Sequence, residues 1–328
     1  MGYLENEIAR LEAYCPEPTR KPDFDVFWQR TRAQADQVAL RPERKPVSYP
    51  GVLADVYDIS YNGFDETRIH GWFMVPKQRR EGQGLPCLIH YHGFTGDRGL
   101  PADFLQWLSL GIAVLSVDCR DQGGSTGNAA ARSSGHAGNV ACHGILDKEE
   151  TYYRAVYMDC VKAIDFAVAQ AEVDPFRIII EGGSQGGALG MAVCALDGRP
   201  WLAMVDVPSN SNLERRVIGA HGAYASVTEY LRRHPDHLEK AFETLSYVDT
   251  MNMAERIACP VLASVGLKDT TCPPECYYAS WNRMKGEKRI HHYPFNGHEG
   301  GGAQHNEVKL RWLWDHLFMA GFQPVSDR

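Results

Sequence analysis

The chain has 328 residues, 44% of them hydrophobic and 23% charged, with 31 Gly and 18 Pro. That composition supports a large core and excludes a disordered or fibrous chain. Lys and Arg total 34 against 41 Asp and Glu, a formal charge of -7 with no long block of either sign, which argues against nucleic acid as a partner.

Nine cysteines lie scattered through the chain, several inside apolar runs, so a disulfide framework is not expected. Cys272 and Cys276 lack a second pair with ligand spacing, and zinc is not expected there. The only basic run of note, Lys77, Arg79 and Arg80, falls in a Gly-containing stretch and reads as a solvated loop. The opening MGYLENEIARLEAYCPEP is acidic and carries no apolar stretch of signal-peptide length, and no run elsewhere is long enough to span a bilayer. A cytoplasmic protein with no membrane partner is the expectation.

Residues 1 to about 45 show helical spacing at Leu4, Ile8 and Leu11 and again at Phe24, Phe27, Trp28 and Thr31, broken by Pro16, Pro18 and Pro22. From Val52 to Val75 the pattern alternates (VYDISYNG, RIHGWFMVP), with Asn62-Gly63 as the turn signal of an antiparallel hairpin. Then come short apolar runs at 87–93, 112–119, 177–183, 202–208 and 260–266, which suit strands buried on both faces of a parallel sheet. Helices are expected between and after them at 101–110, 150–171, 185–196, 237–244, 274–285 and 304–319. The Gly-rich stretch 121–147 reads as a long functional loop, and 208–250 as helical cover for a site. Both are insertions in one domain spanning 1–328.

Directly after the strand RIIIE comes Gly182-Gly183-Ser184-Gln185-Gly186-Gly187, followed by the helical run ALGMAVCAL. Gly-x-Ser-x-Gly between a strand and a helix is the nucleophile elbow of the α/β-hydrolase fold. Side chains at 182 and 186 would collide with the neighbouring strand and helix, while the turn exposes the Ser184 hydroxyl at the positive end of a helix. A phosphate-binding turn does not fit, because no Lys follows the glycines.

A serine hydroxyl needs a general base, and in this fold the chain order is Ser, acid, His. Asp269 stands just past the strand PVLASVG, where such sheets build their sites. Its plainer alternative is a turn or cap residue. His298 follows in the loop Asn296-Gly297-His298-Glu299-Gly300-Gly301-Gly302, whereas His291 and His292 fall inside the strand-like IHHYPF. Ser184, Asp269 and His298 are therefore the expected catalytic residues. The oxyanion hole should combine the N–H of Gln185 with that of Phe94 in the loop Tyr91-His92-Gly93-Phe94-Thr95-Gly96, so Phe94 and Gln185 are also the expected substrate contacts. His92 precedes the serine and reads as a packing residue of that loop. A non-catalytic ligand-binding scaffold, a peptidase or a long-chain lipase on the same fold are the rival readings.

Those residues, with PDFDVFWQRT, YHGFTGDRG, Arg120-Asp121-Gln122, DVPSN, SVGLKDTTCPP and NGHEGGG, resemble the carbohydrate esterase family that contains acetyl xylan esterases and cephalosporin C deacetylases. Its signature is Arg-Gly-Gln, then Gly-x-Ser-Gln-Gly, then His-Glu. Here Asp121 replaces the first motif's Gly, and Phe94 stands where many members have Tyr. The resemblance implies deacetylation of short-chain esters of varied alcohols, among them acetylated xylo-oligosaccharides and cephalosporin-type acetates. It further implies no cofactor and a ring-like homohexamer with active sites facing an interior cavity; no metal site is expected from the residues.

Overall fold

The computed structural model describes residues 2–51, 53–80, 82–133 and 138–322. Among them one sheet contains nine strands: β1 (Glu43–Val47), β2 (Ala54–Asn62), β3 (Arg68–Pro76), β4 (Leu85–Tyr91), β5 (Ala113–Val117), β6 (Val173–Gly183), β7 (Pro200–Asp206), β8 (Val261–Gly266) and β9 (Lys288–Tyr293). Their spatial order is β1-β2-β3-β5-β4-β6-β7-β8-β9. The first three strands and the β3–β5 pair run antiparallel, and every pair from β5–β4 to β8–β9 is parallel. This is the α/β-hydrolase arrangement, with an antiparallel start and a mostly parallel body.

Side chains alternate between two cores, as a sheet covered on both faces requires. Cys87, Ile89, Ile178, Ile180, Ala203 and Val205 join the larger core, beneath helices Phe24–Gln37, Tyr152–Val168 and Gln185–Leu196. Leu88, Ile179, Leu202, Met204 and Leu262 face the other core with Trp107 and Leu108, and with Trp312, Leu313 and Leu317 of the helix Gly302–Met319. Near-continuous apolar strands are the sequence signature of this double burial.

Several expectations need correction. The helical lead-in is two helices, Tyr3–Glu12 and Phe24–Gln37, and it ends before residue 43, because Glu43–Val47 is an edge strand paired with β2. Pro46 is tolerated there because an edge strand needs only one row of hydrogen bonds. The hairpin loop is longer than a two-residue Asn-Gly turn: Gly63 N–H donates to Thr67 O at 2.8 Å. The expected helix at 101–110 is a 3-10 turn, Pro101–Phe104, running into one α-turn, Leu105–Leu108. The expected hairpin start at Val52 and part of the 121–147 loop, residues 134–137, lie outside the described residues. The segment 208–250 is helical, with Leu213–Ile218, Ala225–Arg233 and Leu238–Ser246. No helix among the described residues is long and apolar enough to cross a membrane.

Candidate active site

At the carboxyl end of β6 the chain reverses into the helix Gln185–Leu196 through Ser184, whose φ is 57° and ψ is -116°. A non-Gly residue held there stores roughly 1–3 kcal/mol of backbone strain. Ser184 N–H donates to Asp206 O at 2.8 Å and Ser184 O accepts from Ala188 N–H at 3.0 Å, which fix the turn. A Cβ on Gly186 would lie 1.8 Å from Tyr91 O, and one on Gly182 would lie 2.6 Å from the same oxygen. Both glycines are thus steric requirements of the elbow packing against β4.

Asp269 and His298 come from the ends of neighbouring strands. Ser184 Oγ donates to His298 Nε2 at 2.9 Å, and His298 Nδ1 donates to Asp269 Oδ2 at 2.8 Å. The other carboxylate oxygen accepts from Thr271 N–H and Cys272 N–H, each at 2.8 Å. Asp269 therefore also serves its own turn. The His298 loop is closed by Glu299, whose carboxylate accepts from Gly297 N–H at 3.0 Å and Asn296 Nδ2 at 2.9 Å. Gly300, Gly301 and Gly302 then all take positive φ at the entry to the last helix, the reason for three consecutive glycines.

The electrostatics follow these bonds. The Asp269 carboxylate, assisted by Cys272, raises the His298 pKa to about 10, because both favour the imidazolium form. Burial pushes the Asp269 carboxyl up, but the bonds from His298 and the two backbone N–H groups outweigh it and leave the group below its ordinary value. His291 and His292 lie in β9 away from the serine. His291 packs edge-on against His305, and His292 Nε2 pairs with Tyr278 OH at 2.5 Å.

Ser184, His298, Gly93, Phe94 and Gln185 share one cavity of about 720 Å³. Gln185 is the first residue of its helix, so its N–H has no intrahelical partner. Phe94 N–H makes no backbone hydrogen bond among the described residues. The Gln185 side chain is committed internally: Oε1 accepts from Gln122 Nε2 at 2.9 Å and from Tyr153 OH at 3.2 Å. Gln122 Oε1 in turn accepts Thr95 N–H at 2.8 Å, so one amide pair ties the Phe94 loop to the elbow. His92 is part of the same brace, with Nδ1 donating to Gly93 O at 2.7 Å and Nε2 accepting from Cys119 N–H at 2.8 Å.

A model of the acetyl xylan esterase family (AXE1) matches residues 1–316. The chain belongs to that family. It is 31% identical over 322 residues to the acetyl esterase Axe7A of Xylanibacter ruminicola, covering 92% of this chain and 68% of that protein. An acetyl xylan esterase structure from a Paenibacillus species superposes with a TM-score of 0.90 at 40% identity, covering 94% of this chain and 99% of that one. Acetyl xylan esterase 1 from a Thermoanaerobacterium species gives 0.88 at 28% identity, covering 94% and 98%. A puromycin-hydrolyzing peptidase of Mycobacterium tuberculosis, at 19% identity and a TM-score of 0.62 over 85% of this chain and 42% of that one, shares the fold alone. Membership makes the chain a carboxylic ester hydrolase.

The family motifs acquire physical reasons here. Arg120 is fully buried and grips Asp159 through Nε and Nη2, each at 2.7 Å, while Nη1 reaches Asp65 at 2.8 Å. Asp121, in the family's Gly position, has φ of 58°. That left-handed geometry explains the family glycine, and Asp is among the side chains that tolerate it best. The departure therefore leaves Arg120 and Gln122 in place.

Two cavity residues escaped the sequence reading. The spacing of Cys272 bears only on zinc, yet its Sγ lies 3.9 Å from Ser184 Oγ. Burial pushes this thiol up, but Arg216 and His298 outweigh it and leave the pKa below its ordinary value. Arg216, from the covering segment, lines the same cavity. Asp269, Cys272 and His298 bring ligand-type atoms within 4.8 Å of one another. The Asp269–His298 bond occupies the imidazole Nδ1 and one carboxylate oxygen, so these groups as placed serve each other and Ser184.

Proposed function

We propose that the chain is an acetylesterase that removes O-acetyl groups from xylo-oligosaccharides and related small acetates, cephalosporin-type acetates among them, through Ser184, His298 and Asp269. The observation that carries this reading is the continuous hydrogen-bonded line from Ser184 Oγ through both imidazole nitrogens to a buried carboxylate. Ser184 Oγ attacks the acetyl carbonyl as His298 Nε2 takes its proton. The oxyanion is held by Phe94 N–H and Gln185 N–H, and the proton passes to the departing alcohol. Water then attacks the acetyl-enzyme, losing its proton to His298 and returning Ser184 with free acetate. Each oxyanion donor contributes about 3 kcal/mol in such sites. No cofactor takes part in this scheme, and the protein assembles as a homohexamer, which light scattering would overturn by giving a monomer mass.

Substrate release distinguishes the rivals. An aryl acetate should be hydrolysed far faster than the matching octanoate, with no cleavage of a peptide anilide, and acetate should be released from acetylated xylo-oligosaccharides. Preference for the octanoate or the anilide would replace this reading by a lipase or a peptidase, and inertness toward all of them by a binding scaffold.

Ester hydrolysis needs neutral His298, whose conjugate acid is stabilised by Asp269. The acid limb of kcat/KM against pH is therefore expected above the ordinary histidine value of about 6.5. In Asp269→Asn the imidazolium loses that support, so the limb should move to lower pH in whatever activity remains. A wild-type limb at or below the ordinary value would contradict the assignment.

A further inference from the structure

The helix Leu213–Ile218 places Arg216 in the wall of the cavity that holds Ser184 and His298. Its side chain is almost fully withdrawn from solvent, with the residue 1% exposed. Nη2 donates to Thr271 O at 3.0 Å, and the guanidinium carbon lies 5.4 Å from the centre of the Tyr224 ring. Among the described residues, Nε and Nη1 have no hydrogen-bond partner. The ionisable groups that act on it most strongly are the thiols of Cys272, which pairs with it, and Cys276 and the phenol of Tyr224, and none of these is a carboxylate.

A buried charge without a counter-ion costs several kcal/mol, and arginine cannot escape that cost by releasing its proton. Arg120 shows what this chain does with a buried guanidinium whose task is structural: Asp159, Asp65 and Asn128 all accept from it. Among the described residues Arg216 has no such set, and it lines the cavity in which the ester must lie. Thiols are weak acceptors and do not substitute for carboxylate oxygens. Nε and Nη1 are themselves closed to solvent, so an anion brought by the substrate engages these two charge-assisted donors as the side chain turns toward the cavity it lines.

We propose that Arg216 recognises a carboxylate on the alcohol portion of the ester, so that acetylated sugar acids are better substrates than their neutral counterparts. The charge must sit on the alcohol side because an acetyl group carries none. This inference rests on the acetylesterase reading of Ser184.

The test compares acetate release from a mono-O-acetylated glucuronic acid glycoside and from its uncharged primary amide, with an aryl acetate as reference. Wild type should show kcat/KM for the acid at least about tenfold above that for the amide. Arg216→Gln should lower this ratio by roughly 10- to 100-fold, the usual worth of a hydrogen bond to a charged group, and Arg216→Lys should restore part of it. A wild-type ratio of one or less overturns the proposal. So does an Arg216→Gln variant in which both esters slow alike, because a residue that merely positions Cys272 or the covering helix would not distinguish them. Should Arg216→Gln fail to fold, competitive inhibition of wild type by free glucuronate but not glucose supports the carboxylate site, and equal weakness of both overturns it. Absence of this preference in wild type while the aryl acetate is still cleaved sinks only the Arg216 proposal, whereas failure of wild type on all three esters sinks the acetylesterase reading itself.

Discussion

Ser184→Ala is expected to lower kcat/KM for acetyl esters by about 10⁵-fold or more while leaving the fold intact. The alanine keeps the backbone at φ 57° and removes only the Oγ that donates to His298, so the rest of the site stays in register. Asp269→Asn should cost about 10⁴-fold, because an amide cannot stabilise the imidazolium and can present its N–H to the wrong nitrogen. Combined, the two substitutions should do little more harm than Ser184→Ala alone, since both disable one proton-transfer unit. Initial rates on an aryl acetate measure all three. Near wild-type turnover by Ser184→Ala would remove the serine from the mechanism and leave Cys272, 3.9 Å away, as the next nucleophile to test.

The elbow was legible because its constraint is local. Two glycines beside a serine between strand and helix answer to a collision with a single carbonyl, Tyr91 O, and that collision is written in adjacent residues. Asp269 and His298 were legible because strand ends and chain order restrict where such residues can stand. Arg216 was not, because its place depends on how a covering helix folds back over the sheet, and Glu-Arg-Arg in a short amphipathic segment reads as solvated surface. Glu43–Val47 escaped because an edge strand buries little and so shows no alternation. The Gln122–Gln185 pair joins residues 63 apart whose amides match only after the sheet has formed. Asp121 departs from the family motif, yet its backbone takes the same left-handed geometry that favours glycine.

Lys309→Met is expected to destabilise the protein by roughly 3–5 kcal/mol, the loss found when one member of a buried ion cluster is removed. Lys309 Nζ donates to Glu181 Oε1 at 2.8 Å and Asp206 Oδ2 at 2.7 Å, and it is 3% exposed. His90 lies 2.5 Å from the other oxygen of Glu181, and His305 Nε2 lies 3.0 Å from Asp206 Oδ1. Burial pushes both carboxyls up, but Lys309 and the two histidines outweigh it and hold them below their ordinary values. Depressed carboxyls contribute stability that is present above the unfolded carboxylate range, near pH 4, and is lost as pH falls through the folded values. Methionine removes the main cation, so burial dominates and both pKa values rise in the variant. Ionising the pair then costs the variant most at neutral and alkaline pH. The difference in urea unfolding free energy between wild type and variant should accordingly be large at pH 8 and shrink toward pH 5. A gap that stays below about 1 kcal/mol, or that widens on acidification, would show that the cluster is not held together as a cation between two carboxylates. Because Asp206 O accepts Ser184 N–H at 2.8 Å, the cluster lies directly behind the elbow, and the variant should also lose esterase activity before it unfolds globally.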